Sequence, residues 1–230
     1  MTARRGRPRL RPVPPRAHRL VQMPDCSGTG KLSKSAALTQ SGVRHLLRHE
    51  LLSNASEPSE AVYEFWVPTT NARADVAVIG ARIDGFEIKT ERDTLKRLPR
   101  QAEAYVRLFD RCHAVLADRH VDDAIKMLPP WWGVLVIARH GGGNFVRVRE
   151  GSPNRGVDPE TLVRLLWREE AHAALCELGI SPDPRAGRFR LWELLLSLLD
   201  LEALKVVVRT ALLDRDPARA RIPSQRFAIT

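Results

Sequence analysis

The 230-residue sequence predicts an α/β fold: a mixed sheet flanked by helices, with a C-terminal helical lobe. Three observations lead there. Short runs of β-branched and aromatic residues alternate with stretches of helical periodicity up to about residue 150. A helix between two strands supplies at least one crossover, which an α/β layer requires. Beyond "GSPNRGVD" (151–158) the strand signals stop and leucines recur at helical spacing.

Taken in order, "SAALTQSGVRHLLRHELL" (35–52) has helical spacing in Leu38, Val43, Leu46, Leu47 and Leu51. "AVYEFWVP" (61–68), "RADVAVI" (73–79) and "IDGFEIKT" (83–90) read as three strands. Asp93 is placed to cap a short turn. Pro99 suits a helix's first turn, so "PRQAEAYVRLFD" continues as a helix to about Asp110. "CHAVLAD" (112–118) is a fourth strand, "HVDDAIKML" a short helix and "PWWGVLVIAR" a fifth strand. "NFVRVRE", after three glycines, is its hairpin partner. Asp158-Pro159 then starts a helix that Gly179 ends, and Leu191–Leu199 and Leu201–Leu213 add two more.

The chain thus divides into a disordered basic arm (1–33), a core (34–150), a helical lobe (158–214) and a tail (215–230). The arm is rich in Arg, Pro, Gly and Ser without apolar periodicity. Residues 1–34 hold nine basic side chains against Asp25 alone, so most of the net charge of +10 sits there and the body is nearly neutral. An arm of this kind suits a polyanion or is simply an extended leader, in which case Met23 is a candidate start. No apolar run approaches the ~18–20 residues of a membrane span, so no membrane partner is expected. Cys26, Cys112 and Cys176 are odd in number and lack CxxC spacing, which points to a reducing cytoplasm rather than a disulfide framework or zinc site.

Asp75, Glu87 and Lys89 interrupt strands that otherwise read as sheet interior, where charged residues are depleted. The turn decides whether they meet. A two-residue turn at Asp84-Gly85 sets Asp75 opposite Thr94 and scatters them. A three-residue loop at Gly80-Ala81-Arg82 puts Ile79 opposite Ile83, hence Asp75 opposite Glu87, with Lys89 on the same face. Facing carboxylates repel unless a proton or cation lies between them, and hard oxygen ligands suit Mg²⁺ or Mn²⁺ better than zinc. Otherwise Lys89 simply neutralises Glu87 on a solvated face.

The order of helix, strand, strand, helix and strand around Asp75 and Glu87-Ile88-Lys89 resembles the PD-(D/E)XK, or restriction-endonuclease-like, nuclease superfamily. Gln101 and Tyr105 in "QAEAY" resemble the Q-x-x-x-Y element of its RecB-type and lambda-exonuclease-type members. "GFEIKTERDTLKRLPRQAEAYVRLFD" is similar to a bacterial branch, and the resemblance covers roughly residues 40–140. It implies a restriction-endonuclease-like mixed sheet and a metal-dependent deoxyribonuclease using Mg²⁺ (or Mn²⁺) and acting on DNA. Asp75 and Glu87 would be metal ligands, with the Ile88 carbonyl a third oxygen. Lys89 would position the attacking water, and Gln101 and Tyr105 would orient that machinery or touch DNA. Ala74 departs from the proline that often precedes the aspartate. First-helix glutamates bind metal in some members; Glu50 fits that place and Glu64 competes with it. A homodimer, or protein partners in a defence or mobile-element system, would also suit the superfamily. The alternative is a catalytically silent nucleic-acid-binding or protein-interaction module retaining the fold.

Other motifs weigh less. His45 and His49 lack a third ligand and read as an exposed helix face. The tryptophans of "PPWW" (129–132) read as a core plug more than a base-stacking platform. Arg164, Arg168, Arg188, Arg190 and Arg209 either grip DNA or decorate a plain helical packing unit.

Overall fold

The computed structural model describes residues 39–138 and 144–215. The basic arm, the first residues of the expected first helix, Cys26, the glycines before "NFVRVRE" and the tail beyond Arg215 lie outside the described residues. No described helix is long and apolar enough to cross a membrane.

The expected architecture is observed: a six-stranded mixed sheet flanked by helices, with further helices at the C-terminal end. The strands β1 (Glu60–Trp66), β2 (Arg73–Ile79), β3 (Ile83–Lys89), β4 (Arg111–Leu116), β5 (Gly133–Ile137) and β6 (Phe145–Arg149) lie side by side in chain order. β1, β2 and β3 run antiparallel, β3, β4 and β5 parallel, and β6 returns antiparallel. The two parallel steps need crossovers, which α2 (Leu98–Tyr105) and α3 (Val121–Met127) provide.

Two apolar faces seal the sheet. α1 (Gln40–Ser53), begun by the Thr39 hydroxyl capping the Gly42 N–H, lays Val43 and Leu47 on Val76, Phe86, Ile88 and Val115. On the other face Tyr105, Phe109, Leu116 and Trp132 join one cluster that runs without a break into the C-terminal helices. These are α4 (Pro159–Val163), α5 (Arg168–Glu177), α6 (Arg188–Leu198) and α7 (Leu201–Leu213). The helical segment thus shares the core of the sheet.

Two expected helices differ in extent. α2 stops at Tyr105 instead of reaching Asp110, because the chain bends where the Asn154 amide donates to the Val106 and Phe109 carbonyls. The single helix expected from Asp158 to Gly179 is two. The Glu170 carboxylate takes the Trp167 N–H, and Arg215 grips both Glu170 and the Leu165 carbonyl, so the chain turns between α4 and α5. Gly179, at φ +78°, ends α5 as expected.

Candidate functional site

The β2–β3 hairpin uses the three-residue loop. Ile79 pairs with Ile83, and the ladder continues to Val76 with Phe86. One more step along that register sets Asp75 across from Glu87. There the Asp75 side chain replaces the next rung: its Oδ2 accepts the Ile88 N–H at 2.8 Å. The group of Ile88 that touches Asp75 is therefore its N–H.

All seven residues of β3 are buried, so Glu87 (2% exposed) and Lys89 (4%) sit inside the protein. Such groups are tolerable only when paired and hydrogen-bonded. Lys89 Nζ donates to Glu87 Oε1 at 2.7 Å and to Gln101 Oε1 at 3.1 Å. The Gln101 amide nitrogen donates to the same Glu87 oxygen at 2.6 Å. The Tyr105 hydroxyl lies 2.6 Å from Glu87 Oε2 and 3.0 Å from the Arg73 carbonyl. Gln101 and Tyr105 can act together because a helix sets residues four apart on one face. Behind them Trp132, wholly buried, stacks on the Tyr105 ring at 5.6 Å, which makes it a core residue.

The electrostatics follow from burial. Desolvation, and after it the Asp75 charge, push the Glu87 carboxyl up from its ordinary value, against the pull of Lys89 and the Tyr105 hydroxyl. Burial and the Glu87 charge push the Tyr105 phenol well above its own, so it remains a donor. The two carboxylates feel one another.

Asp75 is approached from α1. Its Oδ1 accepts from Gln40 Nε2 at 2.8 Å and from Arg44 Nη2 at 2.5 Å, and the same Arg44 nitrogen pairs with Glu64. Glu64 faces Asp75 from β1 with φ +51°, a backbone region unfavourable for residues other than glycine. Burial works against the Arg44 charge, but hydrogen bonds and the fields of Asp75 and Glu64 outweigh it and hold the guanidinium above its ordinary pKa.

Of the residues singled out from the sequence, Asp75, Glu87, Ile88, Lys89, Gln101 and Tyr105 are brought together. Glu50 is not among them. It lies six residues past Arg44, about 9 Å further along the helix axis, and the α1 residues on Asp75 are Gln40 and Arg44. Glu64 is the acid that comes near, through Arg44. Sequence reasoning passed over Gln40 and Arg44, whose i, i+4 spacing on the first turns of α1 was the available signal. His45 and His49 are exposed. Arg168 is tied to the Ala186 and Pro184 carbonyls, Arg190 to Glu193, and Arg164 and Arg188 lie over the Phe189 and Trp192 rings. Among the described residues no three His, Cys, Asp or Glu side chains are grouped to hold a metal ion. The side-chain oxygens gathered there are the Asp75 and Glu87 carboxylates, the Gln101 amide oxygen and the Tyr105 hydroxyl, with the Glu64 carboxylate beyond Arg44.

A family model for bacteriophage P4 protein cII matches residues 40–221. The chain belongs to the bacteriophage P4 protein cII family. Every residue of the site, from Gln40 to Tyr105, falls inside the matched segment. Protein cII of Enterobacteria phage P4 is 25% identical over 174 residues, covering 75% of this chain and 64% of the phage protein. The chain therefore spans less than two thirds of that relative's length. The solved structure of the SPO1766 protein of unknown function from Silicibacter pomeroyi overlaps 54% of this chain and 76% of its own, with 21% identity and a TM-score of 0.35. That likeness is too slight to carry an argument.

Proposed function

We propose that this member of the P4 cII family is a metal-dependent nuclease that hydrolyses DNA phosphodiester bonds. The observation that carries the reading is the convergence on Glu87: Lys89, Gln101 and Tyr105 all reach its carboxylate while Asp75 faces it from the next strand. This is the constellation that the resemblance to the PD-(D/E)XK superfamily implies.

The donor set fits a hard divalent ion. The Asp75 charge adds to the burial that pushes the Glu87 carboxyl up, a cation near the two would offset it, and oxygen ligands suit Mg²⁺ or Mn²⁺. Asp75 and Glu87 would hold it. When bound, such an ion lowers the pKa of a water and polarises a phosphoryl oxygen. The protein's own groups do the rest. Gln101 bridges Glu87 and Lys89, donating to one and accepting from the other, so it fixes both side chains. Tyr105 locks the far oxygen of Glu87. Lys89 carries an ammonium into a water-poor place, where its field on an anionic transition state is strong.

One observation favours a second reading, a catalytically silent nucleic-acid-binding or protein-interaction module. Each carboxylate already has a base of its own, Arg44 on Asp75 and Lys89 on Glu87. The two readings separate in one experiment. Linear, circular and single-stranded DNA are incubated with the pure protein in Mg²⁺, Mn²⁺ or EDTA. The nuclease reading expects cutting with either metal and none in EDTA. It further expects Lys89→Ala to slow cutting by about two to three decades with DNA affinity nearly unchanged. DNA that is bound but never cut, with any metal, establishes the module instead.

A further inference from the structure

Arg44 stands where the proposed metal ion would have to compete. One guanidinium nitrogen touches carboxylates from two neighbouring strands, Asp75 of β2 and Glu64 of β1. Asp75 Oδ1 already accepts from both Gln40 and Arg44, and a carboxylate oxygen offers about two lone-pair directions. An ion ligated by Oδ1 must displace one of these donors. Gln40 is neutral; Arg44 carries the like charge that a divalent ion repels.

Three further features mark Arg44 as a movable counter-ion more than a fixed strut. Its Nε is buried and has no hydrogen-bond partner among the described residues, so the pairs seen there do not use the forked geometry that makes arginine–carboxylate pairs strong. Its side chain keeps 20% exposure and Glu64 keeps 47%, which leaves a way out toward solvent. Glu64, which meets it, holds a positive φ, a strain that native structures tend to keep at working sites.

We propose that Arg44 is the built-in counter-cation of Asp75, and that Arg44 and a divalent metal ion exclude one another there. The inference rests on the metal-site reading above. Without the ion, Arg44 neutralises Asp75 and Glu64 and keeps α1 docked on the sheet. When the ion takes Asp75, the guanidinium is released at the mouth of the site, where its planar donors match a phosphate of the substrate. Metal loading would then be tied to the presentation of a phosphate-binding group.

The test measures Mn²⁺ affinity of the full chain from the electron paramagnetic resonance signal of free Mn²⁺. Wild type is compared with Arg44→Ala, Arg44→Gln and Asp75→Asn. Removing the competing charge should tighten Mn²⁺ binding by about tenfold or more in both Arg44 variants, within the usual range for coupled sites. Asp75→Asn should weaken it. Thermal denaturation gives a second readout: Mn²⁺ should raise the melting temperature of Arg44→Ala more than that of wild type. If wild type binds Mn²⁺ through Asp75 and neither Arg44 variant binds it more tightly, this inference fails and the metal site stands. If neither wild type nor the Arg44 variants bind Mn²⁺, both fail together.

Discussion

The two ends of β3 both carry acids, and they use them differently. At the Ile83 end each acid is held by one basic side chain. Asp84 takes both its contacts from Arg82, at 2.9 and 2.8 Å. Asp110, just before β4, accepts the Ile83 N–H at 2.9 Å and pairs with Lys205 of α7 at 2.9 Å. Each contact ties one piece of the chain to another. At the Lys89 end, six donors from α1, β3 and α2 converge on two carboxylates that repel one another. A tether needs one counter-charge. An arrangement that crowds donors around mutually repelling acids costs stability, and such costs gather where a protein binds or reacts.

The largest expected effect tests whether the crowded end is dispensable for folding. Lys89→Met leaves Glu87 buried beside Asp75 without its base and should cost about 3 kcal/mol, the low end for breaking a buried pair. Adding Glu87→Gln removes the stranded charge, so the double variant should regain most of that loss. Urea denaturation of both variants checks this. A double variant as unstable as the single one would make the pair a structural tether like those at the other end.

The Ile83 end should behave in the opposite way. Asp110→Ala leaves Lys205 with the exposed Glu202 at 3.0 Å among the described residues, and deprives the Ile83 N–H of its acceptor. We expect a loss of about 2 kcal/mol, with Mn²⁺ affinity unchanged. Here a second substitution, Lys205→Met, should not restore stability, because the N–H still lacks a partner. Weakened Mn²⁺ binding in the folded Asp110→Ala protein would erase the distinction between the two ends.

The sequence carried the hairpin well, for a physical reason. Strand side chains alternate with period two, so placing Ile79 opposite Ile83 determines which residues face Asp75. Gln101 and Tyr105 were legible as a helical i, i+4 pair. The α1 contribution was not. Gln40 and Arg44 look like ordinary polar positions of an amphipathic helix, and reach Asp75 only because Val43 and Leu47 bury that helix across β2 and β3. Glu50, which the superfamily resemblance suggested, lies about 9 Å past Arg44 along the same helix. The break between α4 and α5 was hidden for a similar reason, since Arg215 meets Glu170 from 45 residues away.

The smallest expected effect concerns Asp84 and pH. Burial pushes its carboxyl up from 3.8 to about 6, against the pull of Arg82. Between those values the native protein keeps a proton that the unfolded chain has lost. Stability from this group is therefore fully present below about pH 3.8 and declines as pH rises through about 6. Asp84→Asn has no such proton to lose. Glu87, whose carboxyl is also raised, and His113, whose imidazole burial lowers to about 4, act in both proteins and cancel in the comparison. The stability of Asp84→Asn relative to wild type should thus rise between pH 4 and pH 6.5. We expect a gain of at least about 1 kcal/mol, the worth of roughly one pKa unit, because Arg82 is half exposed and its solvent-screened charge offsets only part of the burial. Urea midpoints at the two pH values measure it. A relative stability that stays flat would mean that Arg82 compensates Asp84 fully, leaving the burial cost of acids to the Lys89 end alone.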